Sequence, residues 1–325
     1  MTQYVNIKKY QDHIDKLIQR DISDNPYFAD NTIMNLTKDS LTGGKRLRAI
    51  IILSIINRLN EIRLKDNPDA IRINGNKVAL AVEYIHNVSL MIDDMPAMDN
   101  DIERRGLPTI HHKWGSTNAL LGSYNLTIGA FKHLLEAVNS YRTHNLFENN
   151  LEQYHKMSEI IYQEVTNNLS MLGLCGGQYL DLNIKNILIG NDVDIKGKRE
   201  LIMELIEKKT SSLFTTSFLL GWLIGGGDIE MLSNIKKIGS SFGLIYQMAD
   251  DVHDLLNDLE KGNANNICEY YNKEELNQLF FINIETIITL LSDLNIYTSA
   301  LKEIIQYISH EFYTGIDKII KVNTT

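Results

Sequence analysis

Two clusters of aspartates carry the chemistry this sequence can do. Asp93-Asp94-Met95-Pro96-Ala97-Met98-Asp99 interrupts an apolar, helical stretch and is followed by Arg104-Arg105-Gly106; Asp250-Asp251-Val252-His253-Asp254 follows a second apolar segment. Carboxylates are costly to bury unless something neutralises them, and a hard divalent cation does so. Mg²⁺ prefers octahedral oxygen ligands and keeps positions open for phosphate and water. The clusters therefore point to a Mg²⁺-dependent enzyme acting on a diphosphate.

Basic residues complete such a site. Thr42-Gly43-Gly44-Lys45-Arg46-Leu47-Arg48 opens the apolar helix Ala49 to Leu59, and free N–H groups with the helix dipole favour an anion there. Taken alone, the segment also reads as a glycine turn with solvated basic side chains. Arg104 and Lys209 fit one diphosphate near the metals, and Lys45, Arg48 and Arg105 fit another, since guanidinium forks match phosphate oxygens. An apolar cleft below the metals would accept a hydrocarbon tail and shelter a carbocation from water. Diphosphate plus hydrocarbon means an isoprenoid.

The elements that must position these groups are helical. With 44% hydrophobic residues and 4 prolines in 325 residues, the composition suits long uninterrupted helices. Helical periodicity recurs almost everywhere, and no internal repeat or linker divides the chain, so residues 1–325 are expected to form one large all-α domain. In the first helix Tyr10, Ile14, Leu17 and Ile18 share a face, and Asn25-Pro26 ends it. A short helix lies around Thr32 to Leu36. Glu61 to Lys77 reads as a surface loop and Val78 to Asp94 as a buried helix, in which a lone His86 is on its own a core residue.

Pro96 lacks a backbone donor, so the helix should break between Asp94 and Asp99, and the distortion can bring Asp99 back beside Asp93. Beyond a loop at Gly106 to Thr117, Asn118 to Val138 reads as a helix, Asn139 to Lys156 as a polar connection, Met157 to Leu182 as one long helix and Asn183 to Lys198 as another connection. Arg199 to Thr210 leads into the core helix Ser211 to Ile224, stopped by Gly225-Gly226-Gly227. In the helix Met231 to Leu256, Asp250 and Asp254 share a face with Gln247 one turn earlier. Lys273 to Val322 gives two amphipathic helices.

Bulk properties exclude several classes. A net charge of −9 disfavours nucleic-acid binding, which needs basic surface. Cys175 and Cys268 make neither a disulfide framework nor a metal spacing, so a reducing, cytoplasmic setting is expected. Met1 to Arg20 lacks the apolar core of a signal peptide, and the most apolar window, Leu213 to Gly227, falls short of the ~20 residues a spanning helix needs.

The ordered set Gly43-Gly44-Lys45-Arg46-Leu47-Arg48, His86-x-x-Ser89-Leu90-x-x-Asp93-Asp94-x-Pro96-x-Met98-Asp99-x-Asp101, Arg104-Arg105-Gly106-x-Pro108-Thr109, Gly176-Gly177-Gln178-x-x-Asp181, Lys209-Thr210 and Gln247-x-x-Asp250-Asp251-x-x-Asp254 resembles the trans-prenyltransferases, the farnesyl and geranylgeranyl diphosphate synthases. Any one motif is weak; six in register are specific. The resemblance implies a helical bundle of the isoprenoid synthase type with a central active-site cavity, usually a homodimer, joining isopentenyl diphosphate head-to-tail to an allylic diphosphate (dimethylallyl, geranyl or farnesyl). It implies that Asp93, Asp99 and Asp250, supported by Asp94, Asp251 and Asp254, bind three Mg²⁺ around the allylic diphosphate, with Arg104, Lys209, Thr210 and Gln247 on the same group. Lys45, Arg48, His86 and Arg105 then take the diphosphate of isopentenyl diphosphate, which reverses the core reading of His86. Ile92, where bacterial relatives commonly have His, Ser123 after Gly122, and a lysine-poor stretch from Asp258 to Asn266 depart from the pattern.

Product length follows from helix geometry. Val88 and Ser89 precede Asp93 by about one turn, and Tyr84 lies a further turn down, about 6 Å or one C5 unit. A large aromatic at position 88 would floor the tail pocket at C15; with Val88 there, Tyr84 is the expected floor and geranylgeranyl diphosphate (C20) the expected main product. The alternatives are a farnesyl diphosphate (C15) synthase or a non-catalytic partner subunit of a heteromeric synthase. A terpene cyclase would have no use for the second anion site.

Overall fold

The computed structural model describes residues 4–63, 68–143, 151–190, 193–261 and 264–323. The all-α class expected from the periodicity holds: among the described residues the β-structure is one two-residue pair of strands. Contacts group the chain into two compact units, Thr2–Ser158 with Ile224–Gly226, and Glu159–Leu223 with Gly227–Thr325.

In the first unit α1 (Val5–Asp24) buries Ile7, Ile14, Ile18 and Ile22 along one stripe, and Asn25-Pro26 ends it as the sequence indicates. A single 3-10 turn leads to α2 (Asn31–Ser40), whose N-cap Asp30 accepts the Thr32 and Ile33 N–H groups, the usual way of satisfying orphan donors. Next come α3 (Leu47–Arg63) and α4 (Pro68–Asp93), then the strands β1 (Glu103–Arg104) and β2 (Leu107–Pro108), α5 (Ile110–Trp114) and α6 (Ser116–Thr143). α4 is the centre of this unit, packed against α3, α6 and α1.

The surface loop expected over Glu61 to Lys77 is corrected here. α3 continues to Arg63 and α4 starts at Pro68; residues 64–67 lie outside the described residues. Proline is well tolerated in a first helical turn, where its missing N–H has no partner to lose, and Ile71 and Asn74 are fully buried. The loop over Gly106 to Thr117 likewise contains β2 and α5, and α6 runs five residues past Val138.

The chain passes between units within α7 (Leu151–Leu169). The long helix expected over Met157 to Leu182 is instead α7 and α8 (Leu174–Gly190). The break falls at Ser170, whose hydroxyl donates to the Asn167 carbonyl and accepts the Leu172 N–H, a local bond that competes with helix. α9 (Ile195–Ile206) and α10 (Ser212–Ile224) flank a wide π-helical turn at Glu207–Ser211. α11 (Leu232–Lys261) packs on that turn and on α12 (Lys273–Asp293) and α13 (Ser299–Asn323). Phe214 and Phe218 meet Phe242 between α10 and α11, and Phe280 stacks on Phe312 at 3.8 Å between α12 and α13.

Candidate active site

α4 ends at Asp93, and the chain then folds back on itself. The Asp99 N–H donates to the Asp93 carbonyl at 2.9 Å, while Met98 and Asn100 N–H groups both donate to the Met95 carbonyl. The helix break at Pro96 thus returns Asp99 to Asp93. Asp93 is half-exposed and Asp99 exposed. Asp94 behaves differently: it is 3% exposed, and its Oδ1 accepts from both Nε and Nη2 of Arg104, at 2.7 and 2.6 Å. Arg104 is carried on β1, paired with Leu107, and Arg105 and Gly106 form the turn with φ of 56° and 75°. Asp94, Arg104 and Arg105 line one small cavity with Thr42, Asn87 and Leu90.

The glycine segment before α3 lies beside this hairpin. Gly44 has φ of 99°, and a Cβ there would come within 2.8 Å of Arg105 Nη1, so the guanidinium rests where a side chain would be. Arg48 Nη1 lies 3.4 Å from His86 Nε2; a guanidinium only donates, so that nitrogen accepts and the imidazole is neutral. Burial, then the positive charges of Arg48, Arg105, Arg46 and Arg104, hold the His86 pKa well below the ordinary histidine range. Lys45 and Arg48 remain half-exposed. Of these charges Arg48 and Arg105 act most strongly on His86, whereas Arg46 and Arg104 are each paired with carboxylates.

In the second unit, Asp250 is half-exposed and Asp254 exposed, while Asp251 is buried. Asp251 Oδ1 accepts from Gln247 Nε2 at 2.7 Å and Oδ2 accepts the Ile267 N–H at 2.9 Å. Burial pushes its pKa up to about 7, with the hydrogen bonds opposing and Asp250 and Asp258 adding. Thr210 Oγ1 donates to Gln247 Oε1 at 2.6 Å. Thr210 and Lys209 sit in the π-helical turn, a distortion that recurs at functional sites. Gly177 of α8 makes it possible: a Cβ there would fall 2.2 Å from the Lys209 nitrogen. Lys209 Nζ donates to Asp181, whose other oxygen accepts from Asn265 at 2.6 Å.

Both clusters therefore follow one pattern, with the first and last aspartates accessible and the second buried and hydrogen-bonded inward. Among the described residues no group of three or more carboxylate, histidine or cysteine side chains is arranged to hold a metal by itself. A pair of accessible carboxylates fits Mg²⁺, whose remaining positions go to substrate oxygens and water.

Of the tail-pocket candidates, Val88 and Ser89 are half-buried. Tyr84 is fully buried; its hydroxyl donates to Asp21 at 2.6 Å, and its ring meets Phe28 and His133 edge-on. Ser123 is buried, and its hydroxyl donates to the Ala119 carbonyl within α6.

The polyprenyl synthetase family model matches residues 30–269, most of the chain. The chain belongs to the polyprenyl synthetase family. The chain is 33% identical over 214 residues to geranylgeranyl pyrophosphate synthase 4 of Arabidopsis thaliana, covering 66% of the chain and 50% of that relative, so the chain spans half the relative's length. A trans-prenyltransferase of African swine fever virus is 26% identical over 301 residues, 93% of the chain and 82% of the viral protein. The geranylgeranyl diphosphate synthase of Saccharolobus solfataricus is 32% identical over 216 residues, 66% of the chain and 55% of that protein. The Legionella pneumophila geranyltransferase structure shares the fold, with TM-score 0.73, 23% identity and coverage of 95% and 99% of the two chains. The resemblance to trans-prenyltransferases and the isoprenoid synthase type of fold are thereby borne out.

Three residues that hold neighbours of the candidate site are given no role by the sequence alone. Asp181 was visible in its motif but not as the partner of Lys209. Arg46 and Glu83 form a buried ion pair; a lone acid in an apolar helix signals Glu83, whereas nothing in the basic run Lys45-Arg46-Leu47-Arg48 distinguishes Arg46 from its neighbours.

Proposed function

We propose that the protein joins isopentenyl diphosphate head-to-tail to an allylic diphosphate, with geranylgeranyl diphosphate (C20) as its main product. What supports the reading is that two chemically different sets of side chains lie around the last turns of α4: His86 and Asp93 are on them, Arg48 comes from α3, and Asp99 and Arg105 come from the chain after α4. His86 with Arg48 and Arg105 forms one, and the accessible Asp93 and Asp99 form the other. Seven residues of helix separate His86 from Asp93, about 10 Å at 1.5 Å per residue. A reaction of two diphosphates needs both sets, whereas cyclisation of one substrate needs only the acidic one.

In this reading Asp93, Asp99, Asp250 and Asp254 hold Mg²⁺, three ions per site, and Asp94 and Asp251 act from behind by fixing Arg104 and Gln247. Bound Mg²⁺ supplies the charge that neutralises the departing diphosphate. Arg104, Lys209, Thr210 and Gln247 orient the allylic diphosphate; Lys45, Arg48, His86 and Arg105 orient the other substrate. The isopentenyl double bond attacks the allylic cation, and the proton lost passes to the released diphosphate. No protein nucleophile is required.

Val88 and Ser89 border the growing chain and Tyr84 floors it. Its hydroxyl donates to Asp21 and its ring packs edge-on against Phe28 and His133, contacts that favour a defined stop. The names of the plant and archaeal relatives support C20. Leu121, Tyr124, Ile128 and Leu135 are exposed at helical spacing along α6, a face suited to a second copy in a homodimer. Among the described residues no helix is long and apolar enough to cross a membrane, and free cysteines suit the cytoplasm.

The test is incubation with Mg²⁺, radiolabelled isopentenyl diphosphate and each allylic primer in turn, followed by chromatography of the dephosphorylated products. A C20 alcohol that disappears in Asp93→Ala is expected. A C15 end point would retain prenyl transfer and discard Tyr84 as the floor, and no elongation by folded protein would favour a non-catalytic partner.

A further inference from the structure

Arg46 stands between Lys45 and Arg48 in sequence but is turned the other way. It is 5% exposed, and its partner Glu83 is 2% exposed. Arg46 Nη1 donates to Glu83 Oε2 at 3.2 Å, Nε donates to Asp15 Oδ1 at 3.0 Å, and Nη2 donates to the Leu41 carbonyl. The second oxygen of Glu83 accepts the Ala49 N–H at 3.3 Å, in the first turn of α3. Arg46 adopts φ of 57°, a left-handed conformation uncommon for a bulky residue. Gln11 Nε2 also donates to the Lys45 carbonyl at 3.0 Å. One buried pair thus ties α1, the turn before α3, the start of α3 and α4, and His86 lies one helical turn beyond Glu83.

We infer that the Arg46–Glu83 pair is a positioning device that sets Lys45 and Arg48 in register with His86 and thereby governs affinity for the diphosphate of isopentenyl diphosphate. This rests on the assignment of that diphosphate to Lys45, Arg48, His86 and Arg105. A buried ion pair is weak support for stability, since apolar residues of similar volume often replace one without loss. Here its forks reach backbone groups on both sides of the anion site, and apolar replacements cannot reproduce that.

The test compares wild type, Glu83→Gln and the double variant Arg46→Met with Glu83→Leu. Three quantities are read: Tm, steady-state constants for both substrates, and calorimetric affinity for inorganic diphosphate in EDTA. Glu83→Gln should raise KM for isopentenyl diphosphate about tenfold, the scale of a small misplacement of binding groups. Its kcat and allylic KM should change much less. The double variant should recover Tm yet keep the raised KM. Recovery of both Tm and KM would overturn the inference and reduce the pair to packing.

If Glu83→Gln does not fold, Arg46→Lys, which keeps the charge but loses the fork that reaches Glu83, Asp15 and the Leu41 carbonyl together, should raise the same KM severalfold; an unchanged KM overturns the inference. Should the wild type elongate no primer, the functional reading fails, and calorimetry alone decides the positioning role. Weaker diphosphate binding in the variants supports it and equal binding overturns it.

Discussion

Arg104 sets Nε and Nη2 on a single oxygen of Asp94, at 2.7 and 2.6 Å, so this carboxylate is held by protein on the side where it is buried. Asp251 is held through both oxygens, one accepting from Gln247 and the other from the Ile267 N–H. In each cluster the middle aspartate is the buried one, while Asp93 and Asp250 are half-exposed and Asp99 and Asp254 exposed, and in the proposed function the two kinds take different roles.

Different consequences of mutation follow within one cluster. Asp99→Asn should raise the Mg²⁺ concentration for half-maximal activity more than tenfold, an estimate of about 1.4 kcal/mol per tenfold. Asp94→Asn should leave that midpoint nearly unchanged and lower kcat about 10- to 100-fold, as loss of an orienting partner does. Mg²⁺ titration of both variants separates the two roles; equal shifts of the midpoint would show that Asp94 binds metal as directly as Asp99.

His86 gives a pH dependence. Its folded pKa is depressed by burial and by Arg48, Arg105, Arg46 and Arg104, while the unfolded chain titrates near 6.5. Above about pH 6.5 both states are neutral and the full stability is present. As pH falls below that value the unfolded chain binds a proton that the folded one does not, and stability drops by at most about 1.4 kcal/mol per pH unit until the folded pKa is reached. Melting curves from pH 7.5 to 5.5 should be less steep in pH for His86→Gln than for wild type, and parallel slopes would mean His86 charges freely in the folded protein.

Much of this was legible beforehand because hydrophobic period and punctuation report local structure directly. The stripe Ile14, Ile18 on α1, the stop at Asn25-Pro26 and the return of Asp99 after Pro96 all appear as the sequence implies. The misreadings arose where tertiary contact overrides local signals. Pro68 and Asn74-Gly75-Asn76 look like turn residues but lie inside α4, because Ile71 and Asn74 are buried against the bundle. Roles that depend on partners far along the chain were harder still. Nothing local links Asp181 to Lys209, or Arg46 to Glu83 and Asp15, since each pairing exists only once separate helices have packed.

The exposed α6 stripe predicts an assembly. Leu121 and Ile128 are 53% and 56% exposed, and a charge at each should abolish association through this face without disturbing the core. Leu121→Glu with Ile128→Glu is expected to sediment as monomer with an unchanged circular dichroism spectrum while wild type sediments as dimer. A variant that remains dimeric places the interface elsewhere.

The π-helical turn provides the strictest test of how the fold serves the site. Gly177 of α8 lies against it so closely that a Cβ would sit 2.2 Å from the Lys209 nitrogen and 2.5 Å from its Cα. These are backbone atoms, which cannot swing away as a side-chain end can, so Gly177→Ala must push the turn outward or separate it from α8. Lys209 would then part from Asp181, and Thr210 from Gln247. Overpacking of this kind costs about 1–3 kcal/mol, so the variant should fold with a lowered Tm. Its kcat should fall at least 100-fold, because misplacement by about 1 Å suffices for that, while KM for isopentenyl diphosphate, bound in this reading through Lys45, Arg48, His86 and Arg105, should hardly move. Asp181→Asn should show a milder fall in kcat with Tm nearly retained. If Gly177→Ala lowers Tm but keeps kcat, the turn tolerates displacement and Lys209 is not held to a fixed position by α8.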